Sequence, residues 1–191
     1  MPVTVDRRSW IWGGGLLLLF ALLLGSLIQN RSIFYDEAIT LLETSGHRTP
    51  DWPRETVSAG ELQRLFEDRS EPWPLFRDSL RSVHPPLYFM LALVWRHLFG
   101  SGLEALRWMS ALLALAQAGL FFHYCSRLRY PAAAGALFCT AAVVVFFGYA
   151  TRGYVLACLM LLCAMAASTG ATTRFKAGAT ILAAGAAVGT H

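Results

Sequence analysis

The sequence predicts an all-α integral membrane protein, in which five or six helices cross the membrane or re-enter it. Its 191 residues are 55% hydrophobic and only 15% charged, a composition typical of membrane proteins rather than water-soluble domains. Apolar runs of membrane-spanning length recur along the chain. Ten of the twelve acidic residues lie between positions 36 and 78, which indicates one polar loop with short amphipathic helices beside the membrane.

The first span is expected at residues 10–28, directly after Arg7 and Arg8. Its length is close to the roughly 20 residues that cross the hydrocarbon core. A secretory signal peptide also begins with basic residues, but this apolar run is long and no small-residue cleavage site follows it. We therefore predict a retained anchor, with residues 1–29 forming a cytoplasmic tail and the first span.

Residues 30–84 are expected to form a polar loop outside the membrane. Ser58 and Glu61 have the spacing of a capping box, which predicts the start of a short amphipathic helix. This helix would lie on the membrane surface or over a cavity. A second short helix is expected over residues 36–44.

Residues 85–191 are predicted to form a helical bundle. Its first segment, 86–99, is apolar but has only fourteen residues, a length at which a helix is often re-entrant or interfacial. Four clearer apolar segments are expected to span the membrane: 103–124, 132–150, 154–168 and 177–190.

Orientation follows from the basic residues between these spans. If Arg127 and Arg129 are cytoplasmic, as the positive-inside rule favours, Arg152 lies outside on the side of Asp36. This arrangement requires that segment 86–99 does not cross fully. If that segment crosses, Arg152 lies inside; we favour the first arrangement.

Asp36 and Glu37 are the strongest candidates for chemistry. They directly follow the first span, and ionisable groups at a membrane boundary are costly and usually functional. Asp36 would be a general base, and Glu37 a hydrogen-bonding or metal-binding neighbour. The alternative is that Asp36 caps the following helix while Glu37 is solvated.

His84 and Arg152 are the next candidates. The Pro-Pro pair after His84 fixes an extended backbone, so this imidazole could bind a phosphate, bind a metal or move a proton. Arg152 lies between two apolar runs and could bind a lipid phosphate bidentately. The alternatives are an incidental interfacial His84 and an Arg152 that only sets topology. Arg107, directly before a tryptophan, is expected to be an interfacial anchor.

Other classes of site are not indicated by the sequence. The basic residues form no stripe that alternates with aromatics, so no nucleic-acid partner is expected. The four cysteines lie in apolar segments without paired or metal-ligand spacing, and we interpret them as packing residues. No phosphate-binding loop, dinucleotide fingerprint or nucleophile elbow is present.

Several motifs together resemble the N-terminal half of GT-C glycosyltransferases, the superfamily of protein O-mannosyltransferases and aminoarabinose transferases. They occur in that family's order along the chain: Phe34-Tyr35-Asp36-Glu37-Ala38, His84-Pro85-Pro86-Leu87-Tyr88, Phe99-Gly100 followed by Arg107, Tyr149-Ala150-Thr151-Arg152-Gly153-Tyr154, and Gly189-Thr190-His191.

The resemblance implies an enzyme that transfers a sugar from a polyprenyl-phosphate donor to a protein, lipid or glycan acceptor, with inversion. Asp36 matches the family's catalytic acidic position. Four residues would contact substrate or its phosphate: Glu37, His84, Arg152 and Tyr154. Around Arg152 many members have a Ser-Arg-Glu pattern, whereas this chain has no acid there.

The expected location is the bacterial inner membrane, in contact with membrane lipid. No cofactor is required by the motifs, although a divalent metal held by Glu37 and His84 is left open. The chain is shorter than family members, so we expect it to be truncated or to need a partner subunit. Two other functions are considered: a non-catalytic scaffold or subunit that binds lipid-linked sugar, and a fragment of a transporter or flippase.

Overall fold

The computed structural model describes residues 7–47, 53–68, 70–80, 86–125 and 131–168. Within these ranges it consists of α-helices and their connections, without a strand, which confirms the all-α class. The helices in chain order are α1 (Arg7–Asn30), α2 (Tyr35–Thr44), α3 (Ala59–Glu67), α4 (Pro72–Ser79), α5 (Pro86–Phe99), α6 (Leu103–Cys125), α7 (Pro131–Thr140), α8 (Ala142–Tyr149) and α9 (Gly153–Ser168).

Two of these helices are long and apolar enough to cross a membrane. They are the apolar part of α1, Ile11–Asn30, and α6, Leu103–Cys125. Helices α8 and α9 meet the same criteria only as a pair, and they are bent by 115° relative to each other. The described residues therefore hold two candidate spans, or three if the bent pair is one span, and the five or six spanning or re-entrant helices of the whole chain stay a prediction. The expected span at 177–190 lies outside the described residues.

The main core lies where α1, α6 and α8 meet. Phe20 and Leu24 of α1 pack against small residues of α6, including Ala114. Gly148 of α8 fits tightly here, because a Cβ at this position would lie 3.0 Å from Leu24 Cδ2 and 3.2 Å from Ala114 Cβ. This close packing fixes the end of α8, and the residues after it, against the first span.

The segment predicted as one span at 132–150 is interrupted, so that prediction was wrong. Ala141 has extended backbone angles, φ −61° and ψ 123°, and it separates α7 from α8. The Thr140 hydroxyl donates to the carbonyl of Ala136, one turn earlier in α7, at 2.7 Å. Three valines follow, and their branched side chains favour helix less than the alanines of α7.

Both short helices predicted in the polar loop are present. Helix α2 covers the expected range, and α3 begins with the expected capping box. The Glu61 amide donates to Ser58 Oγ at 3.2 Å, and the Ser58 amide donates to Glu61 Oε2 at 2.8 Å. The Ser58 amide and the Ser58 hydroxyl both donate to the Glu61 carboxylate, which favours its ionised form and lowers the pKa of Glu61.

Arg96 joins the polar loop to α5, a function that we did not predict. Its side chain is fully buried. Its guanidinium donates to the Leu41 carbonyl and the Thr44 hydroxyl of α2, and to the hydroxyl of Ser45, the C-cap residue of α2. It also donates to the carbonyls of Phe66, in the last turn of α3, and Asp68, the residue after α3. A single arginine in a fourteen-residue apolar helix therefore holds α2 and the end of α3 in place.

Arg96→Met is expected to lower the free energy of unfolding by about 2–3 kcal/mol, because it leaves several buried acceptors without a donor. The measurement is thermal unfolding in detergent. Arg77→Met is the matched control, since the Arg77 side chain is half exposed and its loss should have little effect. Equal melting temperatures for the two variants would contradict this function of Arg96.

Candidate active site

The two adjacent carboxylates of α2 have opposite environments. Successive residues of a helix are about 100° apart around its axis, so Asp36 and Glu37 cannot face the same way. Glu37 is fully buried, whereas 54% of the Asp36 side chain is exposed. Only Asp36 can therefore meet a ligand without rearrangement of the helices.

Glu37 forms a bidentate ion pair with Arg107 of α6. Arg107 Nε donates to Oε1 at 2.9 Å, and Nη2 donates to Oε2 at 2.6 Å. The Phe34 amide also donates to Oε2, at 3.0 Å. Phe34 is the N-cap residue of α2, so the alternative of Asp36 as the cap and Glu37 as a solvated residue was wrong.

Arg107 also closes the end of the first span. Its guanidinium donates to the carbonyls of Ile28, Arg31 and Ser32 at 2.8–3.0 Å. The last carbonyls of a helix have no partner within it, and Arg107 supplies donors for this group. The prediction of Arg107 as an interfacial anchor was wrong, because its side chain is buried and connects α1, α2 and α6.

Asp36 forms an ion pair with Arg152. Arg152 lies in the link between α8 and α9, where the chain bends, and only 15% of its side chain is exposed. The ion pair brings Arg152 beside Asp36, and the side of the membrane on which the two residues lie stays a prediction. Thr40 supports this contact, because its hydroxyl donates to the Thr151 carbonyl at 3.0 Å and so holds α2 against the bend.

A pocket of about 180 Å³ opens beside this ion pair. Its lining residues are Phe34, Tyr35, Asp36, Glu37, Phe146, Ala150 and Arg152. The Phe34 ring meets the edge of Phe146, with ring centroids 5.4 Å apart. Pockets for whole drug-sized ligands are typically about 300–1,000 Å³, so this one has room for part of a ligand between an aromatic wall and a charged pair.

The other predicted site residues are not brought into this pocket. Tyr154 lies in the first turn of α9, with its ring centroid 4.8 Å from that of Phe147, and does not line the pocket. His84 lies outside the described residues. Within the part of the chain that the structure describes, no group of three metal-ligating side chains is present, and the metal that we left open on Glu37 and His84 stays a prediction.

Glu43 is an acidic residue near the site that sequence reasoning missed. It is half-buried in α2, and burial raises the pKa of its carboxyl, while the positive charge of Arg152 partly offsets this effect. The signal was available, since positions 36, 40 and 43 have the spacing of one helix face. It was overlooked because Glu43 has no unusual neighbour in sequence.

The chain matches no family model, and neither a curated protein nor a solved structure is significantly similar to it. The resemblance to GT-C glycosyltransferases therefore rests on the ordered motifs of the sequence alone. The functional argument depends on the geometry around Asp36 and Arg152.

Proposed function

We propose that this protein is a membrane-bound glycosyltransferase that takes a sugar from a polyprenyl-phosphate donor. The observation that carries the proposal is the partly exposed Asp36 carboxylate, ion-paired with Arg152 at a pocket beside the end of the first candidate span. This reaction needs two groups at one place: a carboxylate that accepts a proton and a guanidinium that binds a phosphate.

The reaction is a single displacement at the anomeric carbon. Asp36 accepts the proton of an acceptor hydroxyl while the hydroxyl oxygen forms its bond to that carbon. The bond from the anomeric carbon to the phosphate oxygen breaks, and the polyprenyl phosphate leaves with the electron pair. Attack opposite the leaving group inverts the configuration of the sugar.

Arg152 has two successive partners in this mechanism. In the resting protein it pairs with Asp36. When the donor binds, its guanidinium turns to the phosphate oxygens, where it offsets the charge that develops as the phosphate leaves. This exchange frees the Asp36 carboxylate to accept a proton.

The membrane supplies the donor in this proposal. The polyprenyl chain lies along the apolar helices α1 and α6, and residues 30–84 face the outside of the bacterial inner membrane. Glu37 positions α2 through its ion pair with Arg107. His84 and Tyr154 are proposed as further substrate contacts, and the acceptor is a protein, lipid or glycan.

The first test is turnover by the full chain in detergent, with a polyprenyl-phosphate sugar labelled in the sugar. Transfer or hydrolysis supports the proposal. Donor binding without turnover favours the scaffold alternative, and movement of the donor across vesicles favours a transporter. Either of these two results, without transfer, contradicts the proposal.

Arg152→Gln is expected to reduce kcat/KM by about 10²–10³, the range for removal of one charge-stabilising donor. Arg77→Gln is the control of equal charge change, on an exposed face of α4, and should retain activity. An Arg152→Gln variant that folds and keeps full activity would show that no phosphate depends on this guanidinium.

A further inference from the structure

One face of α2 carries two carboxylates toward the same arginine. Asp36, Thr40 and Glu43 are spaced i, i+4 and i+7, so they lie on one stripe of the helix. The backbones of Asp36 and Glu43 are about 10 Å apart at 1.5 Å per residue. Helical side chains tilt toward the N-terminus, so we expect the Glu43 side chain to tilt toward Thr40.

The connection between α8 and α9, which contains Arg152, is held against Thr40, the middle residue of this helix face. The Thr40 hydroxyl donates to the carbonyl of Thr151, the residue directly before Arg152. Arg152 therefore leaves the backbone about one helical turn from each carboxylate. Its long side chain now pairs with Asp36, and its charge also acts on the carboxyl of Glu43.

Glu43 is not explained by any other contact of its carboxylate within the part of the chain that the structure describes. It is half-buried, and among the described residues its carboxylate takes part in no hydrogen bond or ion pair. A partly buried carboxylate without a partner is costly. The positive charge of Arg152, which acts on this carboxyl, partly offsets that cost.

We propose that Glu43 is a positioning residue that receives Arg152 whenever Asp36 is uncharged. This inference rests on the proposed function for its catalytic consequence. When Asp36 accepts the proton of the acceptor, it loses its negative charge, and the largely buried guanidinium of Arg152 would then have no counterion on α2. As the polyprenyl phosphate departs, the Glu43 carboxylate becomes the counterion of Arg152. Arg152 returns to Asp36 once Asp36 has released its proton to water.

A test that needs no activity uses Asp36→Asn as a permanent mimic of the uncharged state. Glu43→Gln is made in the native and the Asp36→Asn backgrounds, and thermal unfolding is measured at pH 8. Glu43→Gln should have little effect in the native background. In the Asp36→Asn background, Glu43→Gln should lower Tm by about 2–4 °C more than it does in the native background, because Glu43 is then the counterion of Arg152. An equal effect in both backgrounds would overturn the inference.

A second pair covers the case in which Asp36→Asn does not fold. In an Arg152→Gln background, the half-buried Glu43 carboxylate loses the positive charge that acts on it. Glu43→Gln should then raise Tm relative to Arg152→Gln alone. No change would also overturn the inference.

The catalytic consequence is measured separately. Glu43→Gln should lower kcat about tenfold with little change in KM for the acceptor, and Glu43→Asp should recover part of the loss. Glu55→Gln, at an exposed position, is the control. If Tm shows the dependence on Asp36 but no variant transfers sugar, the exchange of Arg152 stands and the proposed function fails. If transfer occurs without that dependence, the proposed function stands and the assignment of Glu43 fails.

Discussion

Arg107→Met is expected to lower the free energy of unfolding by about 3–5 kcal/mol, because it leaves the Glu37 carboxylate buried without a counterion. The same substitution removes the donors to the carbonyl of Ile28 in α1 and to those of Arg31 and Ser32 just after it, together with the connection to α2. The measurement is thermal or denaturant unfolding in a detergent that keeps the native chain folded. Arg107→Lys should recover part of the loss, since an ammonium keeps the charge but not the bidentate geometry.

A double substitution separates the ion pair from simple packing. Glu37→Gln with Arg107→Met removes both charges, so its cost should be smaller than the sum of the two single variants. Strict additivity would show that Glu37 and Arg107 do not interact in the folded protein. A loss below about 1 kcal/mol for Arg107→Met would have the same meaning, because that is the range of exposed ion pairs.

Asp36→Asn is expected to reduce transfer by about 10²–10⁴ in kcat, the range for loss of a general base. The asparagine has nearly the same shape but cannot accept the acceptor's proton. Since the Asp36 side chain is half exposed, the variant should fold and insert as the native chain does. The assay is initial rate of sugar transfer at saturating donor, with unfolding measured on the same preparation.

Glu55→Gln provides the matched control for this variant, because it removes one carboxylate at an exposed position outside the helices. It should transfer sugar at the native rate. An Asp36→Asn variant with full activity would rule out Asp36 as the base. A variant that loses activity together with its fold would assign Asp36 to structure, in conflict with its exposure.

Local patterns were predicted well from the sequence. The capping box at Ser58 depends on two residues three positions apart, and α2 is indicated by the spacing of its own apolar residues. Neither prediction needs a partner that is distant in the sequence. The distribution of positive charge predicted that Arg152 and Asp36 share one side of the membrane, and their ion pair agrees with that prediction without testing the side. These signals are readable because their physical cause lies in the sequence itself.

The two buried arginines could not be predicted in the same way. Arg107 precedes a tryptophan, and Arg96 lies near the end of a short apolar helix, so both have the sequence setting of an interfacial anchor. Their partners are distant: Glu37 is 70 residues from Arg107, and Leu41 is 55 residues from Arg96. The break at Ala141 was also hidden, because neither proline nor glycine marks it.

The distance along the chain between Glu37 and Arg107 has a consequence for synthesis. Ribosomes add about 5–20 residues per second, so the 70 residues that separate the pair take about 4–14 s to make. During that interval the newly made carboxylate has no guanidinium to join. Helices α1 and α2 are therefore made before α6, which carries the partner of Glu37, and the Glu37–Arg107 ion pair can form only after α6 has been synthesised.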